Sequence, residues 1–146
     1  MRVFPHMNEK LRALRVLVVE DELLIRWSIA ETLAHAGHTV IEAADGASAI
    51  MALKHDAERI DAVVLDYRLP DSNDLTLLAT VRRLLPDGAV VLMTAFGTPE
   101  VVKGALDLGV CHVLHKPFEM HDLESLLRGS LRGRLLASLA FQRHRE

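Results

Sequence analysis

The stretch Ala62-Val63-Val64-Leu65-Asp66 constrains the fold of this chain more than any other. Four apolar residues, Ala, two β-branched Val and Leu, read as a short strand buried on both faces, and strands of that kind belong to parallel sheets covered by helices. Leu69-Pro70-Asp71 follows as a turn signal. Asp66 is therefore expected at the carboxyl end of its strand, where open α/β sheets place their ligands.

Other runs repeat the pattern. Arg15-Val16-Leu17-Val18-Val19 ends at Glu20-Asp21-Glu22, residues 88–93 end at Thr94-Ala95-Phe96-Gly97, and residues 110–114 lead into Lys116-Pro117-Phe118; residues 38–43 form a shorter β-branched run. Helical signals lie between them. Leu23, Trp27, Ala30, Leu33 and Ala34 recur at helical spacing over 22–36, and Gly37 supplies the stop. Asp45-Gly46 opens a second helix with Ala49, Ile50 and Leu53 on one face, running to about His55. Asn73 or Ser72 is placed to cap a third, which Pro86 ends. Thr98 caps a fourth with Pro99 at its first position and Gly109 beyond its end, and a fifth runs from about Met120 into Leu131. Five strands alternating with five helices predict right-handed crossovers and an α/β, doubly wound, five-stranded parallel sheet.

Such a sheet brings scattered residues to one edge. Asp21, Asp66, Thr94 and Lys116 all fall just after predicted strands. Carboxylates that close repel one another unless a cation sits between them. Mg²⁺, a hard cation held by one or two carboxylates and water and left open for a phosphate, meets that demand. Lys116 offers a point charge and Thr94 a hydroxyl to phosphate oxygens. Asp66 is then a candidate nucleophile that forms an aspartyl phosphate.

Composition narrows the alternatives. A chain of 146 residues suits one domain that folds without disulfides or metal staples. A formal charge of -3 shows no overall basic excess of the kind that marks nucleic-acid modules. Cys111 alone, with neither a signal peptide nor a long apolar span, points to a reducing compartment, and the cytoplasm is expected.

Val19-Glu20-Asp21-Glu22, Leu65-Asp66 with Leu69-Pro70-Asp71, Met93-Thr94-Ala95 and Lys116-Pro117-Phe118, in that order over residues 15–129, resemble the receiver domain of two-component response regulators. Leu-Pro-Asp-Ser-Asn-Asp-Leu and Thr-Ala-Phe-Gly-Thr-Pro-Glu look most like receivers of enhancer-binding transcription activators. The resemblance implies a flavodoxin-like (βα)5 fold with strand order 2-1-3-4-5. It implies that Asp66 accepts a phosphoryl group from the phosphohistidine of a sensor histidine kinase or phosphotransfer protein. It implies Mg²⁺ bound by Glu20, Asp21, Asp66 and the main-chain carbonyl of Arg68, with Thr94 and Lys116 engaging the phosphoryl group and a cis bond before Pro117. The output would pass to a downstream protein or a homodimer through the fourth helix, fifth strand and fifth helix, with no nucleic acid or membrane contacted directly. Such a domain catalyses its own phosphorylation and turns over no small molecule.

Three positions depart from the family pattern or bear on it. Val113 stands where an aromatic ring usually moves with the threonine, so coupling is expected to be muted, unless His112 or His115 substitutes. Arg68 and Phe96 are bulky enough to cover the acyl phosphate, which predicts slow self-dephosphorylation. A phosphatase of the haloacid dehalogenase type needs a second Asp where Arg68 stands, and a flavodoxin-like nucleotide site would be repelled by Glu20-Asp21-Glu22. Zinc at His112, His115 and His121 is disfavoured because no cysteine or carboxylate pair completes a tetrahedron. A degenerate receiver that binds partners without phosphorylation, and a receiver fragment of a longer transcription regulator, remain open.

Beyond residues 15–129, residues 1–14 read as an N-terminal leader. Residues 130–146 read as a basic helical extension of the last helix; Leu127, Leu131, Leu135 and Leu139 recur every four residues from that helix into it, among Arg128, Arg132, Arg134, Arg143 and Arg145. This is either the last helix running long or a surface for a partner or second subunit.

Overall fold

The computed structural model describes residues 13–56 and 59–130. Apart from residues 13, 14 and 130, the expected leader and the basic extension lie outside the described residues. In chain order the elements are β1 (Arg15–Val19), α1 (Leu23–His35), β2 (Thr39–Ala43), α2 (Gly46–Asp56), β3 (Ala62–Asp66), α3 (Thr76–Leu84), β4 (Ala89–Thr94), α4 (Pro99–Asp107) and β5 (His112–His115). A last helix, α5, covers residues 120–130 up to the end of the described chain. The five strands form one parallel sheet, as the apolar runs predict, in the order β2-β1-β3-β4-β5 that the resemblance implies.

Strand side chains alternate between two faces, and the core divides accordingly. Leu17, Val19, Val63, Leu65, Val90 and Leu92 point into a layer closed by Ala49 and Leu53 of α2, Leu77, Leu78 and Val81 of α3, and Ala105 of α4. Val16, Val18, Ala62, Val64, Val91 and Met93 point into the other, closed by Ile29 and Leu33 of α1 and Leu123 and Leu127 of α5. β3 and β4 are buried along their whole length because both layers cover them. Leu14 also packs into the second layer. Its amide donates to His38 Nδ1 at 3.0 Å, which leaves the hydrogen of that ring on Nε2, 3.0 Å from Glu124 Oε1. Arg128 Nε meets the same oxygen, so α5 is tied to the start of β2.

Four local expectations are revised. The inward face of α1 is Ile25, Ile29 and Leu33, whereas Leu23 and Trp27 are 65% and 57% exposed. Apolar residues surround most of this helix, so its periodicity alone does not choose a face. Neither Asn73 nor Ser72 caps α3: Leu75 stands at the cap with no side-chain bond, and Asp74 Oδ1, one residue earlier, accepts from Thr76 N at 2.9 Å. Ser72 is already committed to a tight turn, in which Leu69 N donates to Ser72 O and Ser72 N to Leu69 O. β5 starts at His112 rather than Val110, because Val110 N still bonds to Ala105 O across the left-handed Gly109 (φ 92) at the end of α4. α1 itself is one residue shorter at each end than the 22–36 expectation.

Candidate functional site

Parallel register places the strand ends side by side. Val19 lies opposite Leu65, Asp66 opposite Met93, and Thr94 opposite His115. Glu20, Asp66, Thr94 and Lys116 thus meet at the carboxyl edge of the three central strands and β5. Glu20 is fully buried. Its Oε1 lies 2.6 Å from Lys116 Nζ, and its Oε2 accepts from Glu22 N at 3.1 Å. Lys116 Nζ reaches Asp66 Oδ2 at 3.1 Å, so one ammonium bridges two acids. Burial pulls the Lys116 pKa down, but the hydrogen bond it donates to Glu20 and the charges of Asp66 and Glu20 outweigh it and hold the pKa above the usual lysine value.

Asp21 completes the cluster from an exposed position. One carboxylate oxygen from each of Glu20, Asp21 and Asp66 lies within 4.8 Å of the others, the grouping among the described residues suited to a metal ion. Hard oxygen donors around an open cleft fit Mg²⁺. The three expected carboxylates lie together, and Arg68 stands two residues beyond Asp66 with its amide 3.4 Å from Asp66 Oδ1. The disfavoured zinc site gains no such grouping among the described residues.

Thr94 is buried, and its Oγ1 accepts from Phe96 N at 3.0 Å, tying the hydroxyl to the loop after β4. Lys116 N donates to Thr94 O at 2.8 Å, and the Lys116-Pro117 bond is cis, as the resemblance implies. A cleft of about 280 Å³ opens above these groups, lined by Asp21, Ile25, Asp66, Arg68, Thr94, Phe96 and Lys116 among others. At its mouth the Arg68 guanidinium carbon sits 5.0 Å from the centre of the Phe96 ring, a cation-π distance. The two bulky residues singled out in the sequence are thus one stacked pair.

Val113 is partly buried against the layer under α2, α3 and α4. Of the two histidines considered in its place, His115 is the one beside the loop: a Cβ on Gly97 would lie 2.5 Å from its ring and 3.1 Å from the Thr94 methyl. Sequence reasoning missed Arg26, whose Nη1 donates to Glu20 O at 2.7 Å and whose Nε reaches Glu42 at 3.1 Å. A cation one turn into the helix after the acidic cluster is the signal that could have found it.

No helix among the described residues is long and apolar enough to cross a membrane. The family model "Response regulator receiver domain" matches residues 16–128. The transcriptional regulatory protein PdtaR of Mycobacterium tuberculosis is 36% identical over 112 residues, covering 75% of this chain and 52% of that protein. The chain spans about half the length of the curated relatives it matches. The structure of NtrX from Brucella abortus superposes with a TM-score of 0.79 at 29% identity, over 89% of this chain and 29% of that one. A CheX-CheY-BeF3-Mg²⁺ complex from Borrelia burgdorferi matches with a TM-score of 0.74 at 25% identity, over 80% and 87% of the two chains.

Proposed function

Because the chain belongs to the receiver-domain family of two-component response regulators, we propose that Asp66 is its phosphoacceptor and that Lys116, Thr94 and the Glu20-Asp21 pair form the machinery around it. The observation that carries this reading is the meeting of three carboxylates within 4.8 Å, two of them bridged by Lys116. An Asp66 oxygen forms the new bond to phosphorus as the phosphorus-nitrogen bond of a phosphohistidine breaks and the imidazole leaves. Lys116 passes from the carboxylates to a phosphoryl oxygen, and Thr94 turns its hydroxyl from accepting the Phe96 amide to donating to the phosphoryl group. Glu20, Asp21, Asp66 and the Arg68 carbonyl would hold Mg²⁺, which supplies charge neutralisation when bound.

Receiver domains are signalling domains rather than metabolic enzymes, and they act with histidine kinases or phosphotransfer proteins. We assign a sensor kinase or phosphotransfer protein as the donor and a cytoplasmic setting. Residues 15–129 are assigned as the receiver, 1–14 as a leader and 130–146 as a basic extension. Output is assigned to α4, β5 and α5, toward a downstream protein or a second copy. With Val113 in the ring position, the movement of Thr94 is weakly coupled to that face.

Incubation with acetyl phosphate and Mg²⁺, read by intact mass, tests the proposal. Wild type gains one phosphoryl group and Asp66→Asn gains none. A wild type that stays unmodified while still binding partners would favour the degenerate-receiver reading instead. The relatives' greater length, and the name of PdtaR as a transcriptional regulatory protein, favour a second proposal about the whole: that this receiver controls a transcription regulator.

A further inference from the structure

We propose that Asp71 is a positioning residue for the metal, acting through the N-terminus of α2. This rests on the functional reading above and deepens it. Asp71 lies outside the acidic cluster, yet its carboxylate spans two backbone amides of another element. Oδ1 accepts from Gly46 N at 2.8 Å and Oδ2 from Ala47 N at 3.0 Å. The first residue of α2 is close-packed there: a Cβ on Gly46 would sit 3.1 Å from Asp71 Oδ1 and 3.0 Å from Leu77 Cδ2, so these side chains would have to shift. Two helix amides without intrahelical partners are satisfied by one carboxylate.

That contact fixes more than a helix end. Asp71 belongs to the turn closed on both sides by Leu69 N to Ser72 O at 2.8 Å and Ser72 N to Leu69 O at 3.2 Å. Leu69 is buried in the core, so the turn is held from below by packing and from the side by α2. The peptide joining Arg68 to Leu69 is planar. Its N–H is committed to Ser72, so its carbonyl, on Arg68, is held in the opposite direction. That carbonyl is the main-chain ligand in the proposed Mg²⁺ set. Asp71 therefore presets the ligand through the turn, and the cost of orienting it is met on folding rather than on binding.

Asp45 supplies the control. Its Oδ1 accepts from Ser48 N at 2.7 Å, capping the same helix without touching the turn. Calorimetric titration of the full chain with Mg²⁺ alone compares wild type, Asp71→Ala and Asp45→Ala, with melting temperatures measured without metal. Both variants should melt lower than wild type. Only Asp71→Ala should weaken Mg²⁺ binding, by roughly ten-fold, the low end for loss of a group that orients a metal ligand. Equal Mg²⁺ affinity in the two variants overturns the proposal and leaves Asp71 a helix cap. Should Asp71→Ala fail to fold, Asp71→Asn, which keeps one carbonyl oxygen, should bind Mg²⁺ with intermediate affinity; wild-type affinity there overturns it equally. A wild type without saturable Mg²⁺ binding sinks the functional reading itself, a result distinct from equal affinities among binding proteins.

Discussion

Replacing Lys116 by Met removes the cation that bridges Glu20 and Asp66 while keeping most of the side chain's apolar volume. Its Nζ lies 2.6 Å from Glu20 and 3.1 Å from Asp66. At an effective dielectric of ~20, each contact at such a distance is worth about 5–6 kcal/mol before desolvation. Burial of the ammonium and of Glu20 offsets most of that gain. Removing one partner of a buried pair nevertheless costs about 3–5 kcal/mol, because the other charge stays buried and unpaired. The Lys116 side chain retains 18% exposure and that of Asp66 7%, so water relieves part of the loss. We expect Lys116→Met to lose about 2–3 kcal/mol in metal-free buffer, below the range for a wholly buried pair. Urea unfolding in chelator, with and without added Mg²⁺, is the assay. The acids left behind should bind Mg²⁺ more tightly, so saturating Mg²⁺ should stabilise the variant more than wild type and narrow the gap. Equal stability without metal, or equal Mg²⁺ increments, would refute the account of Lys116 as the resident counter-charge.

The remaining predictions concern other groups. Arg68→Ala removes one half of the stack over the cleft, so phosphate should leave Asp66 several-fold faster; a wild-type lifetime of seconds, unchanged in the variant, would contradict the shielding role. Arg82 donates from its guanidinium to the carbonyls of Leu108, Leu85, Gly88 and Pro86. Arg82→Met should cost about 2–3 kcal/mol in urea unfolding, as charged donors are lost from carbonyls that water only partly reaches, and Arg82→Lys should restore little because an ammonium lacks the fork. The Lys116 pKa is raised above its ordinary 10.5 on folding, so its contribution is fully present below that pH and fades as pH climbs past it. Wild type should therefore lose stability faster than Lys116→Met in alkaline solution, read from paired melting curves.

How much of this was legible in the sequence follows from what kind of interaction set each feature. Buried strands announce themselves by apolar runs, and the residue after each run inherits its place from the parallel register. Asp21, Asp66, Thr94 and Lys116 are therefore grouped at one edge by the sequence alone, whereas Glu20 enters only through the family resemblance. The inward face of α1 is not legible, since Leu23, Leu24, Ile25 and Trp27 are all apolar and only contact with Val16 and Val18 selects the Ile25, Ile29, Leu33 stripe. The start of α3 is misread because the turn closed by the backbone of Leu69 and Ser72 delays the helix to Thr76, a displacement that spacing does not reveal. Lys116 reaching Glu20, and Asp71 reaching Gly46, are contacts between distant segments that depend on side-chain reach across the sheet edge. The Arg68 and Phe96 pair lies between these cases: the bulk of each is visible in the sequence, but their stacking depends on two loops meeting over the cleft.

The division of the interior has a consequence for the chain as it leaves the ribosome. The layer containing Val16 of β1 and Ile29 of α1 is completed by Leu123 and Leu127, near the end of the described residues. The opposite layer is finished earlier, once Val110 and Val113 have emerged. A nascent chain halted before Leu123 therefore carries one sealed side and one open apolar side, a natural place for a chaperone to hold it. Protease resistance of stalled chains should rise sharply only when residues 120–130 clear the exit tunnel. A chain already resistant at Asp107 would show that α1 alone can shield that side.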